Sequence, residues 1–270
     1  MFRFENHVYK SDFLDLPGVG HAFSVREGGV SILPHTKSMN LSFGLGDEYP
    51  EVLENMKLIC SYAGVSFEGL VGSPQHHTDR VRYVTAKSAG EGVTRENSDH
   101  SDGFVTDCKG VSIIIRMADC TPLLFLGNKG GDISAPIVAA VHAGWKGTVA
   151  GIASNAVCEM KKLGADPADI KVAIGQCIRK CHFEVQSDFV ENITKAAGAD
   201  FAARHIERNE NGLYADIVGM NLEFLLSSGV KKENIDVSPF CTACDGAKFH
   251  SHRASRGHRG TMGAVIGIVG

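Results

Sequence analysis

Residues 111–117 read Val-Ser-Ile-Ile-Ile-Arg-Met, and this run of apolar, β-branched side chains predicts a buried β-strand. Two further apolar runs follow at residues 123–126 and 137–141, and another closes the chain at residues 262–269. Each run has the length of a strand. Together they predict that a β-sheet forms much of the core.

Helical spacing of apolar residues appears in four segments, at residues 51–63, 149–163, 186–197 and 216–228. Asp216 occupies an N-cap position, and Gly164 and Gly229 fit the ends of two of these helices. Helices and strands alternate irregularly along the whole chain. We therefore predict a mixed α/β (α+β) fold with mixed sheets in a single domain, residues 1–270.

The composition is that of an ordinary globular protein, with 43% hydrophobic and 21% charged residues in a chain of 270. A formal net charge of −4 argues against a general nucleic-acid binder, which usually needs a basic face. No apolar run reaches the ~18 residues that span a bilayer. The first residues lack the apolar core of a signal peptide, so we expect a cytoplasmic protein whose eight cysteines are reduced thiols or ligands.

Three residues stand out as a possible metal-ligand set: His77, Cys120 and His142. Two imidazoles and one thiolate suit a catalytic zinc ion and leave a fourth coordination position open. Cys120 and His142 each follow a strand-like run, where a rigid scaffold can hold a side chain at a sheet edge. Taken alone, the residues also fit a small apolar cysteine at a strand end and a structural histidine in a turn.

A second group of cysteines offers a rival metal site, in the motifs Cys241-x-x-Cys244 and Cys177-x-x-x-Cys181-His182. The two motifs could in principle build a structural zinc site. A single Cys-x-x-Cys, however, lacks the paired spacing of a zinc ribbon. We therefore favour buried or incidental thiols here.

Positive charge, hydroxyl groups and glycines concentrate at residues 248–260, which include Arg253, Arg256 and Arg259. Guanidinium and backbone N–H groups bind phosphate oxygens through charge-assisted hydrogen bonds. The segment is therefore either a solvated basic loop or an anion site. Arg26, which precedes two glycines, could add a second guanidinium group.

Asp102 and Asp119 are candidate acid/base groups, and each adjoins a loop-forming residue. Asp119 precedes Cys120 directly. It could therefore act as a general base or support the metal ligand beside it, although turn or capping roles are also open.

Several of these motifs occur together in one order along the chain. They are Arg26-Glu27-Gly28-Gly29-Val30-Ser31, Gln75-x-His77, Ser101-Asp102-Gly103-Phe104-Val105-Thr106, Ala118-Asp119-Cys120-x-Pro122, His142-Ala143-Gly144-Trp145-Lys146-Gly147, Gly175-Gln176-Cys177-Ile178, Phe183-Glu184-Val185, Cys241-Thr242 and Ser251-His252-Arg253. The set resembles the YfiH family, also called the laccase-domain, multicopper polyphenol oxidase or peptidoglycan editing factor family. The resemblance covers about residues 20 to 268. Gln176 and Phe183 depart from the proline and tyrosine usual in that family.

The resemblance implies an α-β-β-α sandwich and a zinc ion held by His77, Cys120 and His142. It also implies purine nucleoside phosphorylase activity on adenosine, inosine and methylthioadenosine, together with adenosine deaminase activity. We accordingly expect Asp102, Asp119 and Arg253 as catalytic residues. Arg26, Asn40, Gln75 and Arg253 are the expected substrate-binding residues. The expected partners are a purine nucleoside and phosphate, with neither nucleic acid nor membrane, and the chain is expected to be a monomer or small homo-oligomer.

Three other functions compete with this one. In a cysteine amidase or hydrolase acting on peptidoglycan precursors, Cys120 would be the nucleophile and His142 the base. Copper-dependent polyphenol oxidation usually needs recurrent His-x-His pairs, and only His250-x-His252 has that form here. A non-enzymatic metal-binding or partner-binding module is the third.

Overall fold

The computed structural model describes residues 1–270. It contains fifteen strands: β1 (Phe2–Glu5), β2 (Val8–Ser11), β3 (Val19–Ser24), β4 (Leu70–Val71), β5 (Val81–Tyr83), β6 (Gly103–Thr106), β7 (Ser112–Met117), β8 (Thr121–Lys129), β9 (Asp132–Ala143), β10 (Lys171–Ile174), β11 (Glu184–Val185), β12 (Ile206–Asn209), β13 (Gly212–Ala215), β14 (Ile235–Val237) and β15 (Met262–Ile268). Its six α-helices are α1 (Tyr49–Ala63), α2 (Trp145–Val149), α3 (Ile152–Lys162), α4 (Ser187–Ala197), α5 (Ala199–His205) and α6 (Ile217–Ser227).

The strands form two six-stranded sheets and one small sheet. The first large sheet has the order β1-β2-β3-β15-β7-β4, and the second has the order β14-β10-β8-β9-β6-β5. Both are mixed, because β4 pairs with β7, β5 with β6 and β10 with β14 in parallel while the other pairs are antiparallel. The third sheet, β11-β13-β12, is antiparallel.

The two large sheets pack face to face, with helices on both outer surfaces. The layer between them contains Phe23 and Ile113 from the first sheet and Phe104 and Leu124 from the second. Helix α1 covers the outer face of the first sheet, and α3 and α6 cover that of the second. This α-β-β-α sandwich confirms the predicted fold class. It follows from strands such as β7 and β15, whose side chains are apolar on both faces and therefore need a cover on each side.

One predicted helix was wrong in its boundaries. The pattern at residues 149–163 suggested a single helix, but Gly151 lies in the left-handed region with a φ of 84° and separates α2 from α3. The helix predicted at residues 216–228 is confirmed. Its N-cap is Asp216, whose carboxylate accepts a hydrogen bond from the backbone N–H of Gly219 at 2.9 Å. No helix in the structure combines the length and apolarity needed to cross a membrane.

Candidate metal centre

Neighbouring strand ends bring three polar side chains to one edge of the second large sheet. Cys120 directly precedes β8, and His142 is the second-last residue of β9, which pairs with β8. Asp102 directly precedes β6 on the other side of β9, and its carbonyl accepts the backbone N–H of His142 at 2.8 Å. The backbone hydrogen bonds between these strands therefore fix the relative positions of Cys120, His142 and Asp102, independently of contacts between their side chains.

His77 reaches the same place from the loop before β5. The buried carboxylate of Asp102 accepts the backbone N–H groups of His76, His77 and Thr78 at 3.0, 3.0 and 2.8 Å. His77 has a φ of 61°, a left-handed conformation that costs a non-glycine residue about 1–3 kcal/mol unless its surroundings hold it. Asp102 supplies those surroundings through its three backbone contacts.

Gln75 fastens the same loop to the first sheet. Its side-chain oxygen accepts the backbone N–H of Arg116 at 2.7 Å, and its amide donates to the Arg116 carbonyl at 2.7 Å. Both functional groups of the amide are thus used on β7. Gln75 also borders a cavity beside the metal-ligand set.

His77, Cys120 and His142 converge with ligand atoms all within 4.8 Å of one another. The Nε2 of His77 lies 3.7 Å from the Sγ of Cys120. Zinc–sulfur and zinc–nitrogen bonds of about 2.3 and 2.0–2.1 Å at tetrahedral angles put these two atoms about 3.6 Å apart. The Nδ1 of His142 contacts Asp102 Oδ1 at 2.8 Å, which leaves Nε2 for a metal. The donors fit a zinc ion with three protein ligands.

The surroundings of Cys120, His142 and Asp102 shift the pKa values of these groups strongly. Burial alone would raise the pKa of Cys120, but the His142 and His77 imidazoles lower it to about 6. Burial opposes the charged form of His142, yet Cys120 and Asp102 raise its pKa to about 9. Asp102 is also buried, and hydrogen bonds from His142 and Thr78 lower its pKa to about 2. In the absence of a cation, the thiolate and the imidazolium stabilise each other.

Two cavities meet at this cluster, and both are lined by His77, Cys120 and Arg259. The first has a volume of about 350 Å³ and a largely polar wall. Its wall includes Gln75, Arg116, His142, Ser42 and Thr261. The second has a volume of about 310 Å³ and a more apolar wall. Its wall includes Trp145, Phe183, Ile178, Ile217, Asp119, His252 and Arg253.

Arg253 and Asp119 border the second cavity, and the main chain of Arg253 contacts the side chain of Asp119. The backbone N–H of Arg253 donates to Asp119 Oδ2 at 2.7 Å, and Thr242 Oγ1 donates to Asp119 Oδ1 at 2.6 Å. The Arg253 guanidinium donates to the carbonyls of His182 and Glu184 at 2.7 and 3.0 Å. Arg253 is therefore held by two neighbouring loops.

Arg26 and Asn40 border neither of these two cavities. The three guanidinium nitrogens of Arg26 donate to the carbonyls of Lys37, Gly246 and Pro34 at 2.7–2.9 Å, beside a separate cavity. Asn40 is fully buried, and its side chain bonds to Ser42, Asp47 and Thr261. Asp102 also lies behind the cavity walls and reaches them only through His142 and the His77 loop. The hydrogen bonds of Arg26, Asn40 and Asp102 therefore stabilise segments that lie behind the walls of the two cavities.

Several cavity residues have only weak signals in the sequence. Arg116 lies within the apolar run of β7, where a lone arginine at a strand end was the only clue. Arg259 belongs to the basic segment but was less favoured than Arg253, although it borders both cavities. Its buried Nε has no hydrogen-bond partner in the protein.

A second cluster lies outside these two cavities. Cys181, His182, Cys241 and Cys244 bring four ligand atoms within 4.8 Å of one another, although we favoured incidental thiols for them. Cys177, the remaining member of the two motifs, is buried and stands outside the cluster. Two separate groups of side chains that could hold a metal ion therefore form in this chain.

Several known proteins are similar to this chain in sequence and in fold. Residues 20–269 match the family model described as multi-copper polyphenol oxidoreductase laccase. The chain is 31% identical to purine nucleoside phosphorylase YlmD of Bacillus subtilis, covering 91% of this chain and 87% of that protein. It is 30% identical to adenosine deaminase RL5 of an unknown prokaryotic organism, covering 90% and 92%. The crystal structure of the Bacillus licheniformis hypothetical protein YfiH superposes with a TM-score of 0.88 at 27% identity, covering 99% and 98%.

Proposed function

The chain belongs to the multi-copper polyphenol oxidoreductase laccase family, and from that premise we propose a zinc-dependent purine nucleoside phosphorylase that also deaminates adenosine. The substrates are adenosine, inosine and methylthioadenosine, with phosphate as the second substrate. Two relatives, purine nucleoside phosphorylase YlmD and adenosine deaminase RL5, support both activities. We propose the cytoplasm as the compartment and a monomer or small homo-oligomer as the working form.

One observation carries the proposal: the His77, Cys120 and His142 ligand atoms converge where two cavities meet. Three protein ligands leave a fourth position open, which is the arrangement of catalytic rather than structural zinc. The open position would face cavities large enough for a small molecule. Zinc in such a site supplies Lewis-acid polarisation of a substrate atom.

The second cavity offers complementary surfaces for the two substrates. Trp145, Phe183 and Ile217 provide an apolar wall against which a purine ring can pack. Arg253 and Arg259 provide guanidinium groups for phosphate oxygens. Phosphate bound there would attack the ribose carbon that bears the base, and the bond to the purine nitrogen would break as that nitrogen takes a proton.

The two aspartates support this chemistry in different ways. Asp119 borders the second cavity and is the carboxyl group available for an acid/base role there. It also fixes the backbone of Arg253. Asp102 acts as a positioning residue, because its carboxylate orients the His142 ring and the His77 loop. Gln75 supports the same loop from β7, while Arg26 and Asn40 hold segments behind the cavities.

A cysteine hydrolase is the second candidate, because the contacts also have the order of a nucleophile–base–orienter set. Asp102 contacts His142 at 2.8 Å, and His142 lies close to the thiol of Cys120, whose pKa falls to about 6. This set suits attack on an amide, including those of peptidoglycan precursors. Metal content separates the two candidates, since a thiolate bound to zinc is not a free nucleophile.

The test is phosphate-dependent release of adenine from adenosine by metal-quantified protein, with inosine formation followed in the same samples. Cys120→Ala should lose turnover and contain one zinc ion fewer than the wild type. Cys158→Ala is the matched control, because Cys158 is exposed on α3 and belongs to neither cluster.

Three results would count against the proposed zinc-dependent nucleoside activity. Zinc-loaded wild type that yields neither adenine nor inosine would overturn the proposal. Activity on amides that survives a chelator and is abolished by iodoacetamide would favour the hydrolase. Phenol oxidation by copper-loaded protein would favour the oxidase.

A further inference from the structure

Two loops meet beside the second cavity, and a short backbone ladder joins them. Cys177 and Cys241 form an isolated parallel bridge, and the N–H of Thr242 donates to the Cys177 carbonyl at 3.0 Å. Residues 241–244 then form a tight turn, in which the N–H of Cys244 donates to the Cys241 carbonyl at 3.2 Å. The turn points both of its sulfurs toward Cys181 and His182 on the other loop.

The distances among these four side chains are those of ligands around one ion. The Nδ1 of His182 lies 3.3, 3.4 and 3.8 Å from the sulfurs of Cys181, Cys244 and Cys241. The sulfurs of Cys181 and Cys244 are 3.7 Å apart. Tetrahedral zinc with its usual bond lengths would require about 3.6 Å for each sulfur–nitrogen pair and about 3.8 Å for each sulfur–sulfur pair.

We propose that Cys181, His182, Cys241 and Cys244 bind a second zinc ion in a closed, tetrahedral site. Three thiolates and one imidazole form a ligand set typical of structural zinc. The thiol protons pass to solvent as the metal binds. The backbone N–H of Arg179 donates to the sulfur of Cys241 at 3.4 Å, a contact that stabilises a thiolate ligand.

The geometry fits a metal better than a disulfide. A bonded pair of sulfurs is about 2.05 Å apart, well below the distance between Cys181 and Cys244. A disulfide would also give no reason for the His182 ring to approach three sulfurs at once. A cation between them would engage all four donors at once.

A zinc ion bound by these four residues would connect the two loops that hold Arg253. The carbonyl of His182 accepts one of the two guanidinium hydrogen bonds, and the residue after Cys241 is Thr242, which donates to Asp119. Zinc binding would therefore limit the movement of Arg253 relative to Asp119. This consequence rests on the proposed function, whereas the metal site itself does not.

The test measures zinc per chain by elemental analysis in reduced full-length protein, after zinc loading and removal of excess metal. The wild type should hold about two zinc ions, and Cys244→Ser and Cys120→Ala about one each. Cobalt substitution gives an independent readout. Cys120→Ala should keep the intense thiolate-to-cobalt absorption expected of three thiolate ligands, and Cys244→Ser should lose most of it.

Cys244→Ser is suited to the test because Cys244 is exposed, and circular dichroism would verify its fold. Cys158→Ser is the matched control and should keep both ions. Equal zinc content in wild type and Cys244→Ser would overturn the second site, as would a Cys181–Cys244 disulfide in peptides mapped without reductant. Either result leaves the nucleoside assay unaffected, so the two proposals fail separately.

Discussion

The two clusters of cysteine and histidine differ in ligand number, exposure and surroundings. His77, Cys120 and His142 provide three donors, one of them fully buried, at the meeting point of two cavities. Cys181, His182, Cys241 and Cys244 provide four donors between two loops, and all of these residues except the buried Cys241 are exposed. With a zinc ion bound, the first arrangement would leave a coordination position for a substrate, whereas the second would fill all four positions with protein atoms.

The pKa values of the cysteines also differ between the two clusters. At the first cluster two imidazoles surround one thiol and lower the pKa of Cys120. At the second, burial and the neighbouring thiols raise the pKa of Cys181. The surroundings thus favour the thiolate of Cys120 at the first cluster and the neutral thiol of Cys181 at the second. Ligand number and surroundings, rather than residue type alone, would therefore separate the proposed catalytic site from the proposed structural one.

Removing one ligand from each cluster should have very different effects on catalysis, and this is the largest difference we expect. His77→Ala should lower kcat more than about 100-fold, because changing even an outer partner of a metal ligand costs about 10–100-fold. Cys244→Ala should lower kcat far less, by no more than about tenfold, because the closed site acts on the substrate only through the loops that hold Arg253. Adenine release measures both. His76→Ala, at the exposed neighbouring histidine, is the control, and equal losses in the first two variants would contradict the distinction between an open and a closed site.

Asp102→Asn should weaken zinc binding at the open site by about 10–100-fold while leaving the closed site loaded. The asparagine amide would present N–H donors to the backbone N–H groups of residues 76–78 and to His142, which now donate to the carboxylate. Competition with a zinc indicator measures the affinity. Asp107→Asn, whose carboxylate contacts only Tyr83 and Cys108 side chains, should have no effect on either site.

Gly144→Ala should lower zinc affinity at the open site by roughly tenfold, in the range of outer-partner changes. Gly144 has an ordinary negative φ, so an alanine is tolerated by the backbone, but its methyl group would overlap the His77 ring. Gly246→Ala is the matched control near the closed site, because a methyl group there meets open space. Unchanged zinc binding in Gly144→Ala would show that the position of His77 is not critical.

Arg253→Lys should raise the KM for phosphate by roughly fivefold with little change in kcat. A lysine ammonium cannot reproduce the planar, forked contacts to the carbonyls of His182 and Glu184. Steady-state kinetics at varied phosphate measures the effect. Arg256→Lys is the control, since Arg256 is exposed and borders neither cavity. A loss confined to kcat would argue against an anion-binding role.

The sandwich could be predicted because its strands and helices carry strong local patterns. The runs around Ile114 and Val265 are apolar enough to require burial on both faces, and the segment at residues 216–228 has both its helical spacing and its N-cap. The break at Gly151 was missed, because the apolar spacing continues across it. A glycine within a helical pattern does not by itself show that the backbone turns left-handed there.

Less of the candidate site than of the fold could be predicted from the sequence. His77, Cys120 and His142 were identified through the motifs of a family, since long stretches of chain separate them. The second cluster was discounted because a single Cys-x-x-Cys lacks the paired spacing of a zinc ribbon. The convergence of its loops accompanies the Cys177–Cys241 bridge, a tertiary contact that the spacing does not reveal. Arg116 and Arg259 enter the cavities for the same reason: the packing of the sheets and loops selects which arginines face inward.

The most direct test of two metal centres with different tasks is a zinc-edge anomalous difference map from crystals of the reduced, zinc-loaded protein soaked with a nucleoside and phosphate. We expect two peaks. One would be bounded by His77, Cys120 and His142 and adjoin substrate density, and the other would be enclosed by Cys181, His182, Cys241 and Cys244. Substrate density remote from the first peak, or no peak between the three ligands, would contradict the account.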